Sequence, residues 1–230
     1  MKILHLYHDL MNLYGEYGNV SCLTKHLLDQ KIEIIVDKKS IGDSFNINDY
    51  DFVYCGSGLE SNQKVAIKDL LKPKEELIEA IKDNKYILFT GNAMEMLGDT
   101  VDDDKALGIV RLSSKTVSKR YTGDVIVAND KFGEIVGFIN KSTYINQNIE
   151  DGLFTYVFKD INLNDDSLKE GYKINNLIGT HIIGPILVKN PKLMRYYVEG
   201  LIDKEYQDIK YPYEEESYNI TLNALKERIK

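Results

Sequence analysis

The segment Tyr86-Ile-Leu-Phe-Thr-Gly91-Asn-Ala-Met-Glu-Met-Leu-Gly98 has the layout that presents a catalytic nucleophile. The apolar run at 86–90 predicts a buried strand, and Gly91 predicts a sharp turn. The residues after Gly91 predict the start of a helix. Such an elbow holds a reactive cysteine or serine where substrate can reach it. This segment contains neither residue. It therefore predicts the scaffold of a nucleophile without the nucleophile.

A second group of small residues, Gly56-Ser57-Gly58, follows another apolar run. Glycines at these positions would let backbone N–H groups face a small anionic or carbonyl group. They are equally explained as turn glycines with positive φ, and spacing alone does not decide between the two. The polar segment from Asn12 to Asn19 precedes the first predicted helix, and either carries side chains to the same place or caps that helix.

The first hundred residues contain the elements that would position these groups. Helical-period stretches at 19–30 and 62–84 alternate with apolar runs at 3–7, 32–36, 52–55 and 87–90. Short apolar strands separated by helices predict right-handed crossovers and a parallel sheet covered on both faces. Ligands of such sheets bind beyond the carboxyl ends of the strands. The loop after Tyr7, the 56–58 loop and the 90–92 turn should therefore share one rim.

After Gly98 the pattern changes. Strand-forming runs at 107–112, 124–127, 133–139 and 153–158 predict antiparallel or edge strands. One more buried strand is predicted within 177–185, followed by helices at 193–205 and 214–229. No internal repeat or flexible linker is visible, so we expect a single domain over residues 1–230.

Composition excludes several classes of protein. The net charge of −7, with acidic residues spread along the chain, argues against a nucleic-acid partner. Cys22 and Cys55 give neither a disulfide framework nor a metal-binding spacing. No stretch approaches the length of about 18 apolar residues that a membrane-spanning helix needs, and no cleavable leader is recognisable. We expect a soluble, cytoplasmic protein with no membrane insertion.

Five ordered motifs carry a family resemblance. They are Asn12-Leu-Tyr-Gly-Glu-Tyr-Gly-Asn19, Gly56-Ser-Gly-Leu-Glu-Ser-Asn-Gln63, Arg120-Tyr-Thr-Gly-Asp124, Gly137-Phe138 and Gly179-Thr-His-Ile-Ile-Gly-Pro-Ile-Leu-Val-Lys-Asn190. Together they resemble class I glutamine amidotransferases of the cobyric acid synthase type, in particular glutaminase subunits of lipid II isoglutaminyl synthases. The resemblance runs nearly end to end. It implies a flavodoxin-like, three-layer α/β sandwich with a mainly parallel central sheet and additional antiparallel strands.

The resemblance also implies a chemistry for the elbow. In that family a cysteine thiolate attacks the side-chain amide of glutamine, a histidine moves the proton, and the ammonia passes to a partner. The family's Cys-Gly-Gly-Tyr-Gln-x-Leu-Gly aligns with residues 91–98, which puts Gly91 at the nucleophile position. Its Gly-Thr-Tyr-x-His-Gly-Pro aligns with residues 179–185, which puts Ile183 at the base position. Neither side chain can do this chemistry.

The residues that follow Gly91 depart from the family pattern as well. Glycine meets a strained elbow geometry with little steric penalty, so Gly91 is the replacement expected where the backbone persists without its chemistry. Asn92 and Ala93 replace two glycines, and Glu95 replaces a glutamine. We expect a pocket that is reshaped or plugged.

Three other residues are candidate replacement nucleophiles. Cys55 lies in a predicted strand, where a thiol is usually buried and inert. Thr90 and Ser57 carry hydroxyls, but no matched histidine is apparent near either. His181 lies two residues before Ile183 on the same strand face, so it either reaches part of the old pocket or packs in the core.

The residues expected to hold a small ligand line the predicted rim. They are Gly56, Ser57, Gly58, Asn92, Arg120 and His181. In relatives the arginine aligned with Arg120 is thought to bind substrate or line the path to the partner. The alternative is a surface arginine paired with Asp124 or Glu134.

Three functions remain open. The first is an inactive amidotransferase-like subunit that binds or regulates a Mur-ligase-like synthetase, in peptidoglycan precursor amidation. The second is a sensor of a small amino-acid-like or anionic ligand. The third is an active glutaminase that supplies ammonia to such a partner through an unrecognised nucleophile, Cys55 or Thr90. None of the three calls for a cofactor or a metal.

Overall fold

The computed structural model describes residues 1–147, 152–161, 168–203 and 205–229. Within them the strands are Lys2–Leu6 (β1), Ile35–Lys39 (β2), Phe52–Cys55 (β3), Tyr86–Thr90 (β4), Thr100–Val101 (β5), Asp104–Lys105 (β6), Leu112–Asn129 (β7), Gly133–Gln147 (β8), Phe154–Lys159 (β9), Lys169–Glu170 (β10), Tyr172–Ile174 (β11) and Leu177–Thr180 (β12). The α-helices are Tyr17–Asp29 (α1), Glu60–Leu70 (α2), Lys74–Lys82 (α3), Ile186–Lys189 (α4), Pro191–Leu201 (α5) and Pro212–Glu227 (α6). None of the helices in these ranges is both long and apolar enough to cross a membrane.

The central sheet has the strand order β11-β12-β4-β3-β1-β2. All neighbours pair in parallel except β11, which is antiparallel to β12. Successive side chains of a strand point to opposite faces. Leu4 and Leu6 accordingly pack in the cluster that contains α2 and α3, whereas Ile3 packs in the cluster that contains α1 and α5. These layers confirm the expected three-layer sandwich with a mainly parallel sheet.

The second sheet is built on the long antiparallel hairpin of β7 and β8. The other edge of β7 pairs with β5 near its start and with β9 near its end, and β6 and β10 extend these two strands. The antiparallel strands expected at 124–127, 133–139 and 153–158 are therefore present. Helix α6 packs on this hairpin through Leu222 and Leu225, which contact the cluster of Ile126 and Val136. A backbone bridge joins the two sheets, because Ile183 N donates to Phe138 O (2.9 Å) and Phe138 N donates to Ile183 O (3.3 Å). The hairpin thus fixes the position of Ile183.

Several predicted boundaries were wrong. The helix expected over 62–84 is two helices, because Pro73 lacks an N–H and disfavours helix at the residue before it. The strand expected at 107–112 does not form. Its N–H groups instead cap the turn after the elbow, where those of Leu107 and Ile109 donate to Met96 O (3.0 Å) and Leu97 O (2.9 Å). The elbow continues as a 3₁₀ helix over Gly91–Leu97, and β2 begins three residues later than expected.

Asn190 ties the end of α4 to the hairpin. Its side-chain Nδ2 donates to Val136 O (2.9 Å) and Ile186 O (2.8 Å), and its Oδ1 accepts from Val136 N (2.8 Å). The residue is 1% exposed. A single buried amide therefore satisfies three backbone groups that water does not reach.

We expect Asn190→Ala to lower the free energy of unfolding by about 2–4 kcal/mol, because it leaves buried backbone groups unpaired. Asn190→Asp should also destabilise, since a carboxylate accepts from Val136 N but cannot donate to the two carbonyls. Urea unfolding followed by circular dichroism measures both. Asn176→Ala is the matched control. Its amide donates to Asn84 O (2.8 Å) at the surface and accepts from the partly buried hydroxyl of Tyr196 (3.2 Å), so its loss leaves no fully buried backbone group unpaired. Equal losses at 190 and 176 would contradict this role.

Candidate functional site

The loops that follow β1, β3, β4 and β12 meet at one edge of the central sheet. Leu13 N donates to Ser57 O (2.9 Å), which joins the loop after β1 to the loop after β3. Asn92, after β4, is hydrogen-bonded to Gly58. Glu16, from the first loop, accepts from Gly184 N (3.2 Å) after β12. The edge where ligands of such sheets bind is thus built from the predicted segments.

At the elbow, residue 91 has room only for a hydrogen atom. Gly91 has φ of +60°, a conformation that is costly for residues with a Cβ. A Cβ built on Gly91 would lie 2.5 Å from both Cβ and Oγ of Ser57 and 3.1 Å from Cγ2 of Ile183. Ser57 is 3% exposed and Ile183 is fully buried. The volume that a nucleophile side chain would take is therefore occupied by two neighbouring side chains.

The loop after β3 is closed by Asn92. Its Oδ1 accepts from Gly58 N (2.9 Å) and Ser57 Oγ (3.3 Å), and its Nδ2 donates to Gly58 O (2.9 Å). A Cβ on Gly56 or Gly58 would lie 2.7 Å from the carbonyl of Met11 or 2.3 Å from its sulfur. Both glycines thus allow close packing of the loop after β1. The structure brings Gly56, Ser57, Gly58 and Asn92 together, and ligand binding by them stays a prediction.

A buried carboxyl group, Glu16, lies beside the elbow. Its Oε2 accepts from Tyr54 OH (2.9 Å) and bonds the hydroxyl of Thr90, and its Oε1 accepts from Gly184 N (3.2 Å). Burial raises the pKa of Glu16 to about 7, against the opposing effect of its hydrogen bonds with Thr90, Tyr54 and Gly184. Sequence reasoning missed this residue, because an acidic residue in a glycine-rich loop before a helix looks like a surface or capping residue.

A second buried polar network surrounds Glu95. Its carboxylate accepts from Thr143 Oγ1 (2.6 Å) and Gln63 Nε2 (3.2 Å) and lies 3.1 Å from His181 Nε2. Burial by itself raises the pKa of Glu95. The hydrogen bond and charge of His181, together with the bonds from Thr143 and Gln63, outweigh this and leave the pKa lowered. Glu95 is therefore held as a carboxylate although it is fully buried.

His181 belongs to this network. Its backbone N donates to Glu170 Oε1 (2.7 Å), and its Nδ1 lies 3.6 Å from the same oxygen. The side chain is 6% exposed. Its neighbours on both sides are thus carboxylates of the protein, and of the two alternatives the structure favours the packing position.

The three candidate replacement nucleophiles have no histidine partner in the described part of the chain. Cys55 is fully buried, and burial, together with the nearby Glu16, raises the pKa of its thiol. Thr90 is hydrogen-bonded with Tyr54 and Glu16, and Ser57 with Asn92. No histidine is among the hydrogen-bond partners of these three residues in the described part of the chain. Cys55 and Ser57 therefore lack the base that activates a hydroxyl or thiol, whereas the hydroxyl of Thr90 donates to the carboxyl group of Glu16.

Arg120 lies on the outer side of the same edge. Its guanidinium donates to Glu60 Oε1 (2.7 Å) and Asn140 Oδ1 (2.9 Å), and its side chain is 47% exposed. The expected surface partners were wrong. Asp124 pairs with Arg228 (2.8 Å) and Glu134 with Lys226 (2.6 Å), because α6 lies over that part of the hairpin. Glu60 is the first residue of α2 and follows the 56–58 loop, which puts Arg120 beside the rim.

Comparison with known proteins gives a consistent family. Residues 2–191 match the CobB/CobQ-like glutamine amidotransferase domain. The chain is 31% identical over 212 residues to the GatD subunit of the glutamine-hydrolysing lipid II isoglutaminyl synthase of Staphylococcus aureus (strain N315). The alignment covers 89% of this chain and 86% of that relative. The corresponding subunit of Streptococcus pneumoniae (strain ATCC BAA-255 / R6) is 29% identical over 222 residues, covering 92% and 85%.

Solved structures agree with this fold. PurLQS from Thermotoga maritima aligns with a TM-score of 0.59 and 15% identity, over 87% of this chain and 99% of that chain. A crystal structure of a glutamine amidotransferase aligns with a TM-score of 0.57 and 12% identity, over 86% and 98%. At these identities the likeness shows the fold alone.

We expect Gly91→Ala to lower the free energy of unfolding by about 2–4 kcal/mol, from the positive φ and from the clash with Ser57. In a Ser57→Gly background the same change should cost only about 1–2 kcal/mol, because the backbone cost remains and the clash is gone. Urea unfolding of the four members of this double-mutant cycle measures the coupling. An identical cost in both backgrounds would show that Ser57 does not occupy the space.

We expect Glu16 to make stability fall as pH rises. Its pKa moves from 4.5 to about 7 on folding, so the folded state binds the extra proton between these values. Stability should fall across this window by about 3 kcal/mol relative to Glu16→Gln, which stays neutral. Urea unfolding from pH 4 to pH 8 tests this. Glu199→Gln, on the exposed face of α5, should follow the wild type. A wild type and Glu16→Gln that run parallel over this range would refute the assignment.

Proposed function

The chain belongs to the CobB/CobQ-like glutamine amidotransferase family, and on this basis we propose that it is an amidotransferase-like subunit that does not hydrolyse glutamine. It binds, positions or regulates a partner synthetase instead. The observation that supports this most directly is the elbow. Residue 91 is a glycine, and Ser57 and Ile183 fill the space where a nucleophile would stand.

Glutamine hydrolysis needs more than one group at this elbow. A thiolate must attack the amide carbon, a base must move the proton, and donors must stabilise the oxyanion. Gly91 carries no attacking atom and Ile183 no basic one. Of the backbone donors nearby, Gly58 N is bonded to Asn92 and Gly184 N to Glu16. Residues 91 and 183 therefore supply neither the attacking group nor the base. Two nearby backbone N–H groups that could stabilise an oxyanion already donate to side chains of the protein.

The partner is a Mur-ligase-like synthetase, and the process is amidation of a peptidoglycan precursor in the cytoplasm. Support comes from the two relatives, which are both named as subunits of lipid II isoglutaminyl synthase. The alignments cover 86% and 85% of their lengths. Arg120 remains half-exposed beside the rim, held by Glu60 and Asn140. It is a residue that such a partner would contact.

The filled site disfavours the two other functions. A sensor of an amino-acid-like ligand needs an open pocket at the rim, yet Met94, Glu95 and Ile183 are fully buried there. An active glutaminase needs an accessible nucleophile with a base. Cys55 and Ser57 are bonded to groups that are not bases, and Thr90, which donates to Glu16, is fully buried. A ligand or a nucleophile at the elbow itself would therefore require these buried side chains to move.

We expect no ammonia release from glutamine by the purified chain, alone or with the Mur-ligase-like protein of its own cells. A stable complex of the two should form in size-exclusion chromatography. The Staphylococcus aureus relative with its own partner is the positive control, because it is named as glutamine-hydrolysing. Gly91→Cys/Ile183→His should remain inactive, since Ser57 still occupies the space beside residue 91.

Two results would contradict this proposal separately. Ammonia release that is lost in Cys55→Ser or Thr90→Val would restore the active-enzyme hypothesis. If no complex forms while the positive control assembles normally, the proposed binding to a Mur-ligase-like synthetase is wrong.

A further inference from the structure

A cluster of metal-ligating side chains lies far in the sequence from the elbow, where α6 meets α1. It consists of Cys22 and His26 on α1 and Glu214 in the first turn of α6. The cysteine sulfur, a histidine nitrogen and a carboxylate oxygen all lie within 4.8 Å of one another. We propose that these three side chains bind a zinc ion that ties α6 to α1.

The helix geometry brings the first two ligands together. Residues four apart share one face of an α-helix, so Cys22 and His26 point the same way. Glu214 reaches them from the other helix, with its two oxygens 3.1 and 3.0 Å from His26 Nε2. A tetrahedral zinc ion with bonds of about 2.0–2.3 Å separates neighbouring ligand atoms by roughly 3.3–3.8 Å. The observed spacing needs only small side-chain movements to meet this.

The sulfur is the part of the cluster that an ion pair does not explain. His26 and Glu214 are joined by hydrogen bonds, which would account for those two residues without a metal. Cys22 makes no hydrogen bond among the described residues, yet its sulfur faces the same point. One thiolate, one imidazole and one carboxylate form a donor set that suits zinc, and three protein ligands leave the fourth position open.

The surroundings hold the imidazole in place and leave space for a fourth ligand. The ring of Tyr211 stacks on that of His26 with a centroid distance of 3.9 Å. Tyr211 is itself fixed by a hydrogen bond from its hydroxyl to Asp29 (2.9 Å). A cavity of about 340 Å³ adjoins His26 and Glu214 and is also lined by Arg195 and Tyr206. Water or a small anion can therefore complete the coordination from this side.

Metal binding at this site would fasten the C-terminal helix. The segment before α6 is joined to α1 by Gln30, whose side chain bonds both N and O of Gln207 (2.9 and 2.7 Å). The other end of α6 packs on the hairpin through Leu222 and Leu225. Zinc would add a link at the first turn and release the thiol proton of Cys22 to solvent on binding. This site is independent of the amidotransferase elbow and of the proposed partner.

The test is metal binding by the full chain after removal of metal with a chelator. We expect one cobalt(II) per chain, with a thiolate-to-cobalt charge-transfer band and d–d bands of tetrahedral intensity. Zinc should displace cobalt and raise the midpoint of thermal unfolding. Cys22→Ser should abolish the charge-transfer band. Loss of a residue that only hydrogen-bonds a metal ligand typically weakens metal binding by roughly 10- to 100-fold. Loss of the ligand Cys22 itself should weaken zinc binding by more than this.

Two further variants keep the test decisive. Glu214→Gln changes a residue at the start of α6 and leaves α1 intact, so it reports on the site even where Cys22→Ser unfolds the chain. Glu215→Gln, its exposed neighbour, is the matched control and should bind like the wild type. Absence of stoichiometric binding to the wild type, or zinc affinity unchanged in Glu214→Gln and Cys22→Ser, would overturn the proposal.

Discussion

The close approach of the loops after β3, β4 and β12 is the constraint on which the site depends. Gly91 lies with positive φ between Ser57 and Ile183, so one missing side chain lets three loops meet. Ile183 cannot retreat, because its backbone is bonded in both directions to Phe138 in the second sheet. The hairpin, the central sheet and the elbow are therefore one packed unit. A side chain restored at residue 91 would have to displace neighbours that are themselves held by other elements.

Hydrogen-bonded carboxyl groups now stand around the elbow. Burying an ionisable group is costly unless it is neutral, paired or hydrogen-bonded. For Glu16 the pKa is raised, which favours the neutral form of the buried group. For Glu95 the bonds with His181, Thr143 and Gln63 stabilise the carboxylate. The two pKa values are shifted in opposite directions, and both residues lie close to the same rim. They give the site a fixed internal arrangement, because each acceptor is already matched to a donor of the protein.

The sequence predicted the layers and the parallel sheet, because these follow from apolar periodicity. The assignment of Gly91 and Ile183 to the nucleophile and base positions rests on the family resemblance and stays a prediction. The sequence did not predict what surrounds these two residues. The contact between Ser57 and residue 91 joins two loops that are 34 residues apart. Asp124 and Glu134 are not the partners of Arg120, because they pair with Arg228 and Lys226 at the end of α6. The pairing of Glu95 with His181 likewise spans 86 residues. Such contacts depend on the tertiary arrangement, and no local pattern encodes them.

The same packing sets what glutamine hydrolysis at this elbow would require. A working elbow needs an attacking atom at residue 91, a base at residue 183 and free space at residue 57, and each of these changes alone is either neutral or destabilising in the present packing. A side chain at residue 91 clashes while Ser57 remains, and a histidine in place of the fully buried Ile183 would be taken out of water beside residue 91. Intermediate sequences would therefore lose stability before they gained turnover. At the surface of the same edge, Arg120 and Glu60 are paired and partly exposed, so changes there do not meet the packing that constrains residue 91. The outer face can therefore differ from one such chain to another while the interior keeps its arrangement.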